Sequence, residues 1–312
     1  MGSNPAGGTN IKGKYTMFYK DNWMTWYYDG VERGTKTSLD SKYELKFTPT
    51  IKQPVKSYKE ELLANACALR DKFNEPFDLC LSGGVDSEVI LRCYHELGIP
   101  INVNIFRYEN NINRQECLQA LKICNELNVT PNIIDFNLQR FFENDAYDIW
   151  KMGYFASAGR LIHLKFIEYL DNIPILGDGD PYWSCTDGTW FFELAESCHA
   201  VSVYSNTIGR LVIGDWYEYS PEIILSHIKS PIVSKMLNNK LPVLNCDEVK
   251  YFLNKSQWPA IDIRKKQSGW EIDSINSIPG FMEEFNQQHT TGMKFNKYKF
   301  TQDELINLLC VV

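Results

Sequence analysis

Ser82-Gly83-Gly84-Val85-Asp86-Ser87 gathers two hydroxyls, a carboxylate and two adjacent glycines in six residues, and this set of groups can hold a phosphate. Adjacent glycines let the backbone bend tightly and bring its N–H groups up to a ligand. A helix starting at that bend points its partial positive end at the same spot. Ser82 and Ser87 add hydroxyl donors. Asp86 would repel a bare phosphate, so its presence makes sense beside a Mg²⁺ that bridges phosphates. The flanks are of the required kinds. Residues 77–81 form a short, largely apolar run that reads as a buried strand, while Val85, Val89 and Cys93, with Ile90, Tyr94 and Leu97, recur at helical spacing. The plainer reading is a Gly-Gly turn that holds no ligand; the complete hexapeptide in a strand–turn–helix setting favours the anion site. The pattern Gly-x-x-x-x-Gly-Lys-Ser/Thr does not occur, which disfavours γ-phosphoryl transfer.

The hexapeptide resembles the signature of the PP-loop ATP pyrophosphatases, Ser-Gly-Gly-x-Asp-Ser between the first strand and first helix of a doubly wound sheet. The resemblance implies ATP cleavage between the α and β phosphates, adenylylation of an acceptor oxygen, and displacement of AMP by a nitrogen or sulfur nucleophile. It implies that Leu81, Ser82, Gly83, Gly84, Asp86, Ser87 and Gly177 line the nucleotide, with Phe106 and Arg107 beside the adenine. A second segment, Gly177-Asp178-Gly179-Asp180, is similar to the longer Gly-Glu-Gly-(Ser/Ala)-Asp-Glu of the asparagine synthetase branch. Asp178 stands for its first acid and Asp180 for its second, and Pro181-Tyr182-Trp183 follow where that branch stays acidic. By this resemblance Asp86 shares Mg²⁺ with Asp178 or Asp180. The same branch places a lysine after its core. In Asp262-Ile263-Arg264-Lys265-Lys266-Gln267-Ser268-Gly269 the candidates are Lys265 and Lys266, which would neutralise departing pyrophosphate. A solvated basic run is the other reading.

These groups need elements to hold them. Strand-like runs at 77–81, 101–106, 131–136 and 173–176 alternate with helical spacing at 60–73, 85–97, 114–127 and 155–170. Such alternation makes a parallel sheet with helices on both faces, and ligands bind at the carboxyl ends of its strands. Both the 82–87 and the 177–180 segments lie at such ends and should face one cleft. The expected fold is α/β: a doubly wound parallel sheet of the PP-loop or HUP-like kind, with a small N-terminal β-hairpin extension and a mainly helical C-terminal region. Three parts are expected: 1–55, a polar lead-in plus an aromatic hairpin; 56–190, the ATP-binding core; and 191–312, closing the substrate side. Aromatic runs at 15–19 and 23–28 with turns at Asp21-Asn22 and Asp29-Gly30 give the hairpin. It reads as a homodimer interface, a lid, or the cover of a sheet edge. Beyond 190, residues 199–204 and 210–213 read as strands, and 221–228, 231–238, 246–254 and 301–309 as helices.

A formal net charge of −7 over 312 residues argues against a broad nucleic-acid surface. No run of 18 apolar residues suggests a membrane span. Nine cysteines, none in a Cys-x-x-Cys pair, read as reduced thiols of a cytoplasmic protein. Cys117 and Cys124 share a predicted helix face. Cys185, Cys198 and His199 fit no common zinc spacing. His95 and His163, on predicted helices, read as structural, and Arg160 reaches the cleft or pairs with an acid. The expectation is an asparagine synthetase-like enzyme using ATP and Mg²⁺ on a small-molecule acceptor. Gly2 stands where an N-terminal cysteine nucleophile would, and few residues precede the core, so no glutaminase domain is expected; ammonia, an amine or a separate nitrogen-donor protein supplies nitrogen. The alternatives are a sulfur-transfer or sulfonucleotide reductase-like enzyme, a tRNA- or nucleobase-modifying enzyme, and a non-catalytic ATP-binding regulator.

Overall fold

The computed structural model describes residues 23–38, 40–52, 54–153, 158–178, 181–195, 199–238, 246–263 and 297–311. Its N-terminal sheet has strands β1 (Met24–Tyr28), β2 (Val31–Glu32) and β3 (Tyr43–Phe47), antiparallel in the order β2-β1-β3. Asp29 and Gly30, both with positive φ, turn β1 into β2, as the Asp-Gly pair leads one to expect. The 15–19 run and the lead-in lie outside the described residues.

Helix α1 (Tyr58–Lys72) opens the core. Ser57 and Glu60 form a reciprocal capping box at its start, which satisfies two of the N–H groups that every helix leaves orphaned. Then come β4 (Phe77–Cys80), α2 (Val85–Glu96), β5 (Asn102–Tyr108), α3 (Arg114–Glu126), β6 (Asn132–Phe136), α4 (Leu138–Asn144), α5 (Ala146–Lys151), α6 (Ala158–Phe166) and β7 (Ile173–Ile175). All four strands pair in parallel in the order β6-β5-β4-β7. Right-handed crossovers then put α2 and α3 on one face, and the reversal from β6 across to β7 puts α4 to α6 on the other. The order reverses between β4 and β7. This is the switch point where such sheets open a crevice. Phe77 and Leu79 of β4 are buried, and the buried Asp78 between them accepts from the side-chain amides of Asn102 and Asn172 and from the Asn172 backbone N–H.

The C-terminal region holds an antiparallel sheet of β8 (Tyr182–Thr186), β9 (Thr189–Ala195) and β10 (Lys297–Phe300), together with α7 (Ala200–Ile208), α8 (Pro221–Lys229), α9 (Pro231–Leu237), α10 (Cys246–Gln257) and α11 (Gln302–Leu309). Residues 199–204, expected as a strand, instead begin α7. Ala200 through Ser205 are all buried, and a fully buried run fits a core helix as well as a core strand. The strand expected at 210–213 shrinks to one parallel bridge of Ile213 with Ile175, which sits where a fifth strand would. β9 runs through position 190, the expected end of the core. Among the described residues no helix is long and apolar enough to cross a membrane.

The N-terminal sheet is folded onto this C-terminal region. The Trp23 indole N–H donates to the Glu218 carbonyl at 3.1 Å, and the Tyr298 hydroxyl accepts from Leu45 N–H at 3.3 Å. Trp23, Met24 and Trp26 are thereby lost to solvent.

Candidate active site

The 82–87 turn leaves β4 and enters α2. Leu81 is buried, and its N–H still donates to the Asn104 carbonyl of β5 at 2.9 Å. Ser82 N–H donates to Ser87 Oγ at 3.2 Å, the two serine hydroxyls lie 3.2 Å apart, and Gly84 N–H donates to Ser82 Oγ at 3.3 Å. The serines therefore staple the turn shut. Gly83 has φ +79°, and a Cβ there would lie 2.5 Å from the Glu116 carbonyl of α3. Only glycine fits. Gly84 is different: its φ is −74°, open to any residue, and a Cβ would meet only Ser82 Oγ at 3.3 Å. It is the N-cap of α2 and offers no side-chain cap, and a helix start of this kind carries backbone amides that an anion can take.

The second expected loop meets the first. A Cβ on Gly177 would come within 2.9 Å of Ser87 N, so this glycine allows the end of β7 to pack on the first turn of α2. Asp178 follows, its carboxylate 2.8 Å from Arg160 Nη1 and 3.7 Å from His163 Nδ1, both on α6. Arg160 thus pairs with an acid at the end of β7, and His163 lies beside the same carboxylate. Asp180, Lys265 and Lys266 lie outside the described residues.

A cation of the C-terminal region does reach the loop, and it is Lys250. Its Nζ sits 2.6 Å from Asp86 Oδ2, with side-chain exposures of 20% and 21%. α10 is held along α2 at its far end, where the Trp258 indole donates to Glu96 at 2.9 Å. Lys59 of α1 pairs with the same carboxylate at 2.8 Å and lies over the Trp258 ring. Nothing local in the sequence separates Lys250 from a solvated helix lysine; only the packing of α10 on α2 does. Asp86 is also held through its backbone, whose carbonyl accepts from the buried Tyr217 hydroxyl at 2.7 Å. Tyr217 belongs to the segment 213–219, which is anchored by Asn65 donating to the Trp216 carbonyl and Ser202 donating to Asp215.

The end of β5 is committed elsewhere. The Phe106 ring is buried and stacked on Phe166 at 3.7 Å, and its carbonyl accepts from Asn113 Nδ2 at 2.8 Å. Arg107 is exposed and grips Asp135 of β6 with two hydrogen bonds of 2.6 and 2.9 Å, which hold the Asp135 carboxyl below its ordinary range. The Phe106 ring, being buried, has no face open to an adenine. His199, read beside Cys185 and Cys198, is a core residue: buried, stacked on Trp26 at 4.6 Å and 2.8 Å from the Tyr43 hydroxyl. The described cysteines form no disulfide.

Among the described residues no three acidic, histidine or cysteine side chains gather as a protein-made metal cage would need. Mg²⁺ asks for less. It takes one or two carboxylates, keeps waters, and gains the rest of its oxygens from substrate phosphates. Asp86 and Asp178, hard donors at the two loops that touch through Gly177 and Ser87, fit that demand.

The family model "Queuosine biosynthesis protein QueC" matches residues 79–149, from β4 through most of α5, which is less than half of the chain. None of the curated proteins matches. Among solved structures, the NH3-dependent NAD synthetase of Campylobacter jejuni is 18% identical, with 38% of this chain and 54% of that one covered at a TM-score of 0.28. This chain therefore spans about half the length of that neighbour. The NMN synthetase of Francisella tularensis is 15% identical, covering 67% of this chain and 97% of that one at a TM-score of 0.31. With the strand–Gly-Gly–helix turn in place at the head of a parallel sheet, residues 79–149 are similar to the QueC family, and no match singles out an asparagine synthetase among these findings.

Proposed function

We propose that this protein is an ATP-dependent synthetase that splits ATP into AMP and pyrophosphate and adenylylates a small acceptor for attack by ammonia or an amine. The observation that carries the reading is the convergence on the first turn of α2: the uncapped helix start, the Gly177–Ser87 contact, and Lys250 at 2.6 Å from Asp86. In this reading residues 56–190 hold ATP and residues 191–312 close the substrate side. The first-turn amides of α2 hold the phosphate chain. Lys250 faces the pyrophosphate as it departs, where a donor is worth most because charge develops there. Asp86 and Asp178 would hold Mg²⁺, which when bound supplies charge neutralisation at the phosphates. Cys80, the cysteine nearest the loop, does not favour sulfur chemistry: burial, then the neighbouring Asp78 and Asp178, push its thiol up, and the thiolate is the reactive form.

Incubation with Mg-ATP, ammonium and a panel of carboxylic acceptors, with chromatographic separation of nucleotides, tests this. Acceptor-dependent AMP and pyrophosphate are expected; ADP and phosphate would sink the proposal. Lys250→Met should lower kcat by roughly 10²–10³-fold with little change in ATP affinity, the signature of a contact used mainly in the transition state.

A further inference from the structure

Both acids proposed for Mg²⁺ are already held by cations. Asp86 is bonded to Lys250 of α10, and Asp178 to Arg160 of α6 with His163 close by. The Gly177–Ser87 packing brings the backbone next to Asp178 against the backbone next to Asp86, and both pairs are largely sheltered, with Arg160 and Asp178 20% and 18% exposed. A phosphate chain entering without metal therefore meets two carboxylates as well as two cations. The attraction and the repulsion oppose each other. A divalent cation reverses this: by occupying the carboxylates it turns Lys250 and Arg160 toward whatever anion is present.

Building on the function proposed above, we infer that Lys250 and Arg160 are anion-binding cations caged by Asp86 and Asp178. A divalent cation opens the cage, so metal and pyrophosphate bind together and neither binds strongly alone. The coupling is reciprocal, as any linkage between two ligands must be. A plain metal-ligand role for Asp178 makes a different prediction. There, removing the carboxylate weakens the metal-loaded complex, and whatever metal-free binding gains from the lost repulsion does not depend on Arg160. In a cage, removing the carboxylate releases Arg160 and improves metal-free binding.

The test is calorimetric titration of sodium pyrophosphate into the chelator-treated full chain with no divalent ion. Asp178→Asn should bind roughly tenfold more tightly than wild type or better, the scale of one charge-assisted hydrogen bond, and adding Arg160→Gln should abolish the gain. Thermal melts establish that each variant is folded. A folded Asp178→Asn that binds no more tightly than wild type would overturn the cage. Should that variant not fold, Asp86→Asn alone and with Lys250→Met gives the same reading from the other pair: a gain that the second change removes supports the cage, and no gain overturns it. Production of AMP and pyrophosphate by the wild type without any gain in the variants would reject the cage and leave the proposed function standing. ADP as the product would reject the function itself.

Discussion

Gly83 and Gly84 are neighbours with different duties, and substitution should separate them. Gly83 combines φ +79° with a Cβ position 2.5 Å from the Glu116 carbonyl, and a backbone atom cannot step aside as a flexible side chain can. Gly83→Ala should cost several degrees of Tm, since an L residue held in a left-handed conformation costs about 1 kcal/mol before any clash is counted. Gly84 sits in an extended conformation with only Ser82 Oγ near its missing Cβ. Gly84→Ala should therefore melt within about 0.5 kcal/mol of wild type, while lowering Mg-ATP affinity by crowding the mouth of the loop. Differential scanning calorimetry with nucleotide titration checks both arms, and a Gly84→Ala protein that binds Mg-ATP normally would move the phosphates away from this turn.

At the scale of elements, the core was legible because its signals are local. Short apolar runs bounded by turn residues marked β4 to β7, and the Ser57–Glu60 box marks the start of α1 as the structure has it. The second antiparallel sheet was harder to see. Asp187-Gly188, both at positive φ between β8 and β9, is a two-residue hairpin signal, whereas β10 pairs with β9 from about a hundred residues away and no local pattern announces that. Lys250 was hidden for the same reason, since its contact with Asp86 depends on α10 lying along α2. That packing can be tested at its far end. Trp258→Phe keeps the ring and loses the bond to Glu96, which should cost about 1 kcal/mol in urea unfolding. Trp258→Ala leaves a cavity beneath Lys59 and should cost about 3–5 kcal/mol. Because α10 carries Lys250, kcat should fall with both, more steeply for alanine; an unchanged kcat in Trp258→Ala would show that Lys250 is positioned by something other than this clamp.

Across the whole molecule, the N-terminal sheet is tied to the site through a relay of buried polar contacts. Tyr43 of β3 meets His199 at the head of α7; Ser202 on α7 donates to Asp215; and Tyr217, two residues on, donates to the backbone of Asp86. Whether the hairpin was a lid, an interface or a cover stood open in the sequence; in the structure its buried aromatic face is spent on this internal contact. His199 makes the relay sensitive to acid. Burial depresses its pKa to about 3 from an ordinary 6.5, so the native state keeps it neutral while the unfolded chain takes up a proton below 6.5. Stability is then full above pH 6.5 and is lost as pH falls toward the folded pKa, at a limiting slope of about 1.4 kcal/mol per pH unit from this one group. Urea unfolding of the wild type at pH 7 and pH 4.5 should show that loss on top of the carboxylate contribution shared by every variant. His199→Gln should be less stable at pH 7, having lost the ring stacked on Trp26, yet should lose less on acidification, by about 2 kcal/mol over the same interval. An equal acid loss in the two proteins would mean that His199 is protonated without penalty and that the contact between α7 and the N-terminal sheet yields to the charge.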